Sequence, residues 1–231
     1  MQNALKIPPN GQRADVKSQS LTEIACQKLL DLIWQKKLLP GQRLIYDNLE
    51  RELEMSRTPI INALTRLEQQ GFTIYQPYRG FILKPMDAQE LWDTFDLREA
   101  LEVHAVKLAV QLARPEDFDI LEEKLVEHEN YRPPLFDRKK RKLALQFHLQ
   151  IVEMSKNALL IKQYKNLMQH LFLRAELEQY NVNRREKSSN IHRALLKHMK
   201  NKDIIGSADI MCRHIQKNRD NALALYNRQR N

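Results

Sequence analysis

Glycine is scarce, with 5 among 231 residues. A chain built mainly of strands needs many tight turns, and a glycine-rich nucleotide fold needs its phosphate loop, so both are disfavoured. Cysteine is scarcer still: Cys26 and Cys212 are the whole complement. Two thiols cannot build a disulfide framework or a zinc ribbon, and they read as buried thiols in a reducing compartment. No apolar run approaches the roughly 18 residues needed to span a bilayer, so no membrane partner is expected. Residues 1–19 lack the apolar centre of a signal peptide, and the chain reads as cytoplasmic. Hydrophobic residues make up 42% and charged residues 29%, which suits a globular protein with a real core. The formal net charge is +9, a surplus that favours a polyanionic partner without constraining the fold. That surplus is spread: residues 1–86 hold 12 basic and 8 acidic side chains, and the remainder holds 26 and 21.

Three regions follow from the residue pattern. Residues 1–19 are polar, contain Pro8-Pro9-Asn10-Gly11, and read as a loose arm. Residues 20–86 open with Ser20 as an expected helix cap and Glu23 three residues on. Leu21, Ile24, Ala25, Leu29, Leu32 and Ile33 form the apolar stripe of that helix, and Pro40-Gly41 closes the segment. A short helix is expected over Asp47–Glu54. Ser56 then caps another helix with Pro59 in its first turn, and Gly71 ends it. Two strand-like runs, Phe72–Gln76 and Phe81–Lys84, flank the turn Pro77-Tyr78-Arg79-Gly80. Three helices and a hairpin in that order predict a winged helix-turn-helix.

Residues 87–231 read as almost all helix. The expected spans are Asp87 to about Ala113, Glu116–Asn130, Asp137–Lys156, Ala158 to about Asn183, about Glu186–Asn201, and Asp203 to about Tyr226, broken by Arg114-Pro115 and Pro133-Pro134. The fold class is therefore mainly α: a winged helix-turn-helix followed by an antiparallel bundle of about six helices. The one charge block is Arg138-Lys139-Lys140-Arg141-Lys142.

In a helix-turn-helix the second helix enters the major groove by its N-terminal end. Here that end is Ser56, Arg57, Thr58 and Pro59. Arg57 can take a guanine edge in bidentate fashion or pair with phosphate, and the Thr58 hydroxyl and first-turn N–H groups suit phosphate. Arg66 is a further phosphate candidate. Tyr78 and Arg79 form the wing tip, and Gly80 lets the backbone approach the duplex. The run from Leu38 through Pro40-Gly41-Gln42-Arg43-Leu44, Leu49, Leu53, Ser56-Arg57-Thr58-Pro59-Ile60 and Ala63-Leu64-Thr65-Arg66-Leu67-Glu68-Gln69-Gln70-Gly71 closely resembles the DNA-binding domain of the GntR family. The family's usual Arg-Glu after the Pro-Val of this motif is Ile61-Asn62 here. A cation is thus missing from the recognition helix, which implies an unusual operator or a lower affinity. Ile61 can instead meet a thymine methyl.

Three histidines of the helical region share apolar stripes: His148 with Leu145 and Val152, His192 with Leu195, Leu196 and Met199, His214 with Ile210 and Met211. His192 lies about ten residues before the turn near Lys202 and His214 about twelve after it. At ~1.5 Å per residue both sit roughly 15–18 Å from the turn, level with each other in an antiparallel hairpin. Two readings stand: hydrogen-bonded core histidines, or ligands of a transition metal.

Asp96-Leu97-Arg98 with Leu101-Glu102, Phe147-His148, Asn157, His192 and His214 make this region similar to the FCD ligand-binding domain of the FadR subfamily. That resemblance implies a divalent metal held by His148, His192 and His214, with an aspartate four residues before His148. Ala144 stands at the aspartate position, and Gln146 lies on the wrong side of the helix to replace it. Three histidines can still hold zinc or nickel, in a weakened site. The resemblance also implies that Arg98 pairs with an effector carboxylate, against the alternative of a salt bridge to a neighbouring helix, such as one through Glu102. His104, His128, His170 and His198 read as surface or packing residues, and Asn157 as a helix cap.

Function follows as a DNA-binding transcriptional regulator, a repressor by family resemblance. It would act as a homodimer on an inverted-repeat operator in double-stranded DNA and answer to a small organic acid effector. An architectural DNA-binding protein without effector is one alternative. A three-histidine metal hydrolase is another, for which no general base stands beside the histidines.

Overall fold

The structure is a computed structural model that describes residues 20–133, 137–175 and 184–228. Helix α1 (Leu21–Trp34) begins in a reciprocal cap: the Ser20 hydroxyl accepts from the Glu23 amide at 3.2 Å, and the Ser20 amide donates to Glu23 Oε2 at 3.1 Å. Helix α2 (Tyr46–Leu53) ends at Glu54, whose φ of 53° makes the sharp turn into α3 (Arg57–Gln69). Gly71, at φ 81°, stops α3, a conformation that favours glycine. Strands β1 (Thr73–Gln76) and β2 (Gly80–Leu83) pair antiparallel, with Thr73 opposite Leu83 and Gln76 opposite Gly80.

The sheet has an unexpected neighbour. Residues 41–44 run along β2 through Gly41 N–H to Leu83 O (2.7 Å), Leu83 N–H to Gln42 O (3.0 Å) and Leu44 N–H to Phe81 O (2.9 Å). Pro40-Gly41 thus turns the chain onto the wing edge, and α1 has already ended six residues earlier. Leu29, Ile60, Leu64, Leu67 and Leu83 are fully buried beneath this unit.

The bundle comprises α4 (Ala88–Leu112), α5 (Pro115–Asn130), α6 (Arg138–Met154), α7 (Ala158–Arg174), α8 (Arg184–Lys200) and α9 (Ile204–Arg228). Side-chain caps start several: Asp87 accepts from the Glu90 amide at 2.8 Å, Asp137 from Lys140 at 2.8 Å, Asn157 from Leu160 at 3.1 Å. Helix α4 is central and packs on α6, α7, α8 and α9.

Helix α7 was expected to reach Asn183 but ends at Arg174, followed by extended Ala175; residues 176–183 lie outside the described residues. Arg174 is where the chain commits. Its guanidinium donates to Lys84 O and Pro85 O at 3.0 Å each and grips both Glu90 oxygens at 2.7 Å, fastening α7 to the start of α4.

The two units share core. Phe172 and Leu173 of α7 are buried with the winged-domain residues, and Phe172 stacks on Trp34 of α1 with centroids 4.3 Å apart and planes 11° from parallel. The charge block builds this joint. Arg138 lies over Trp34 and Phe172 at 5.2 and 5.4 Å, and Arg141 lies over Phe172 at 4.0 Å while donating to its carbonyl at 2.6 Å. Those guanidiniums are held by aromatic faces and carbonyls rather than displayed to solvent. Lys140 is buried and caps the end of α5 through His128 O and Tyr131 O.

Candidate DNA-reading surface and histidine centre

The N-terminal end of α3 presents Ser56, Arg57 and Thr58 to solvent, and the wing presents Tyr78 and Arg79. Ser56 occupies the cap position, yet its hydroxyl makes no cap bond, so it remains available to an incoming phosphate oxygen. Pro59 departs from expectation. It is buried in the winged core, because the first turn of α3 rolls it inward with Ile60, so it shapes the turn instead of meeting DNA. Arg57 is half-exposed and paired with two acids of α2: its Nε donates to Glu50 at 2.8 Å, and a terminal nitrogen pairs with Asp47. A base edge or phosphate therefore competes with these carboxylates for the guanidinium. Arg66 faces Glu23 at 3.7 Å and is also half-exposed. At the wing tip Tyr78, at φ 63°, is fully exposed, and Gly80 has a φ of 76°.

Inside the bundle, α6, α8 and α9 bring His148, His192 and His214 together. Their Nε2 atoms form a triangle with all three sides 3.2 Å. All three residues are buried. An imidazole nitrogen either donates or accepts. Around a triangle, then, at least one of the three contacts sets like against like, and the ring of nitrogens cannot satisfy itself by hydrogen bonding. Ligand nitrogens 2.0–2.1 Å from a tetrahedral ion lie roughly 3.3 Å apart, so the spacing also fits a transition metal. Burial, with the neighbouring imidazoles adding to it, pushes His192 and His214 well below the ordinary histidine pKa, which keeps them neutral as ligation requires.

Glu102 of α4 organises the centre. One oxygen accepts from His148 Nδ1 at 2.5 Å; the other accepts from Arg98 Nε at 2.5 Å and from the Tyr164 hydroxyl at 3.0 Å. Burial alone would raise this carboxyl, but Arg98 and His148 outweigh it and hold the group well below the usual carboxylate range. A carboxylate at Nδ1 fixes the His148 tautomer with its Nε2 lone pair toward the triangle. Arg98 is buried and ion-paired within its own helix, four residues from Glu102. Its guanidinium is thus already engaged by a carboxylate of the protein itself. His128 is buried against His192, rings 5.3 Å apart, and neither of its ring nitrogens has a hydrogen-bond partner. Burial, with Lys140 nearby, lowers its pKa to about 3.

The sequence offers Glu102 as a partner of Arg98 but not as the support of His148, and it gives no role to Tyr164 or Asn218. Glu102 carried a signal, the i,i+4 spacing to Arg98. Asn218 carried a fainter one, the same spacing after His214. Its Nδ2 lies 3.1 Å from His214 Nε2. A cleft of about 310 Å³ lies where α1, α6 and α7 meet, with Trp34, Leu145, Tyr164 and Phe172 on its walls.

Residues 21–83 match the gntR family of bacterial regulatory proteins, and residues 93–217 match the FCD domain. The chain belongs to the GntR family, and its FCD domain is consistent with the FadR subfamily. This is a class of transcriptional regulators and not of enzymes, which removes the hydrolase alternative. The chain is 32% identical over 132 residues to the Nta operon transcriptional regulator of Aminobacter aminovorans, a match covering 57% of this chain and 62% of that protein. It is 38% identical over 88 residues to the HTH-type transcriptional regulator McbR of Escherichia coli strain K12, covering 38% and 40%. These matched stretches therefore span less than two thirds of either relative. The solved structure of E. coli McbR/YncC superposes with a TM-score of 0.75 at 27% identity, over 93% of this chain and all of that one. No described helix is long and apolar enough to cross a membrane.

Proposed function

We propose that this protein is a cytoplasmic transcriptional repressor that binds an inverted-repeat operator as a homodimer. Its helical domain senses a small carboxylate-bearing effector at a zinc or nickel centre. The observation that carries the sensing half is the self-unsatisfiable triangle of three Nε2 atoms. One winged domain reads only a short half-site, so useful specificity needs two.

The chain's own residues divide the work as follows. His148, His192 and His214 would hold the ion, which when bound supplies a Lewis-acidic position for an effector oxygen. Glu102 holds His148 in the ligating tautomer and keeps Arg98 charged and in place. Arg98 offers the second anchor for an arriving carboxylate, with Glu102 as its competitor. Tyr164 links Glu102 to α7, and two turns further along α7 Phe172 lies stacked on Trp34 of the winged domain. A change at Glu102 thereby bears on the orientation of the DNA-reading head. A preference of only ~1–3 kcal/mol for one head arrangement is enough for regulation.

Native mass spectrometry with metal analysis, on protein purified without chelator, tests the reading together with selection from a random DNA pool. A dimer carrying one metal per chain and an enriched inverted repeat is the expected result. A metal-free protein whose operator affinity ignores added zinc or nickel overturns the sensing half. A monomer bound one-to-one to DNA overturns the dimeric half.

A further inference from the structure

The triangle contains no anionic ligand: three imidazoles meet, and the position one turn before His148 on α6 is Ala144. Asn218, one turn beyond His214 on α9, brings a carboxamide against His214. Its Nδ2 stands 3.1 Å from His214 Nε2, within the roughly 3.0–3.3 Å that separates neighbouring donor atoms around a six- or four-coordinate ion. An ion held by the three Nε2 atoms would repel an NH2 group at that distance. Because the two ends of a carboxamide are nearly the same shape, a half-turn about its terminal bond puts Oδ1 at the same place without steric change.

Resting on the metal-centre reading above, we infer that Asn218 replaces the missing aspartate, giving its amide oxygen to the metal as a neutral donor. Asn218 is half-buried where the histidines are buried. Three imidazoles and one amide leave the ion its full positive charge. Such a centre demands an anion from outside more strongly than one that already holds a carboxylate, which gives the site its preference for a carboxylate effector.

Cobalt(II) added to the full-length protein tests the inference, because its visible absorption reports both the donor set and the coordination number. Asn218→Leu removes the oxygen at similar size, and Asn218→Asp makes it anionic. Relative to wild type, the leucine variant is expected to shift the cobalt band and weaken affinity by at least the ~10-fold that loss of an outer-shell partner produces. The aspartate variant is expected to tighten affinity in chelator competition and to blunt the band shift caused by added acetate, a simple carboxylate probe. An unchanged cobalt band, or an affinity unchanged or increased in Asn218→Leu, overturns the inference and leaves the three-histidine centre standing; it would mean that the amide only donates to His214. A wild-type protein that develops no cobalt band overturns the metal centre and this inference together.

Discussion

Glu102 and His148, separated by 46 residues in sequence, meet at 2.5 Å in the middle of the bundle, and that contact sets the state of the whole centre. The same carboxylate restrains Arg98 and Tyr164. Three helices, α4, α6 and α7, therefore converge on one side chain. Glu102→Gln keeps the volume but removes the charge. Removing one partner of a buried pair leaves the other uncompensated, so a loss of about 3–5 kcal/mol in denaturant unfolding is expected. Metal affinity is expected to fall ~10–100-fold, because the His148 tautomer is no longer fixed. Wild-type metal affinity in this variant would show that Glu102 serves folding alone.

The histidine triangle predicts an all-or-none response. His148→Ala, His192→Ala and His214→Ala are each expected to abolish the rise in melting temperature that zinc or nickel produces, since stabilisation by a ligand scales with its affinity and concentration. Ala144→Asp adds a carboxylate on the His148 face of α6 and is expected to enlarge that rise. Differential scanning fluorimetry across a metal titration measures both. A metal-dependent rise that survives all three single alanine variants would exclude the triangle as the site.

Acid should weaken the fold through its buried histidines. In the unfolded chain His128 takes a proton near its ordinary value of 6.5, whereas the fold holds it neutral down to about 3. Its contribution is therefore fully present above about pH 6.5 and is lost progressively as pH falls through that window. Each such proton steepens the stability curve by up to ~1.4 kcal/mol per pH unit. His192 and His214 shift in the same direction. Urea unfolding at several pH values is expected to show the decline, and His128→Leu to make it shallower. A slope identical to wild type in that variant would contradict the assignment.

At the DNA face, Arg57→Ala is expected to cost ~1–3 kcal/mol of specific binding and relax base preference at its contact. Arg79→Ala at the wing is expected to weaken all sequences alike and flatten the salt dependence. Arg57 is held by Asp47 and Glu50, so Asp47→Asn releases part of that competition and is expected to raise DNA affinity. Fluorescence anisotropy on the selected operator at two salt concentrations separates these effects. Operator affinity unmoved in both arginine variants would refute the winged-domain interface.

The joint between the units gives a distinct readout. Phe172→Ala removes the ring that stacks on Trp34 and lies beneath Arg138 and Arg141. It is expected to leave metal binding near wild type while uncoupling operator affinity from metal. Coupling that persists unchanged would mean that the signal takes another route.

The amino-acid sequence by itself determined the elements and much of the site. Ser20, Asp87 and Asn157 announce helix starts because capping is a bond between residues three apart. Proline and glycine mark stops for equally local reasons, and the 3.6-residue period of apolar side chains showed which way His148, His192 and His214 point. Only the tertiary structure decided what those side chains meet. That Glu102 rather than an effector holds Arg98, that the basic block of α6 clasps Trp34 and Phe172, that residues 41–44 join the wing edge and that Pro59 turns inward all depend on contacts between distant segments. Periodicity gives the direction of a side chain from its own helix. Its partner depends on how separate helices cross and at what level, and that is set by the packed core as a whole.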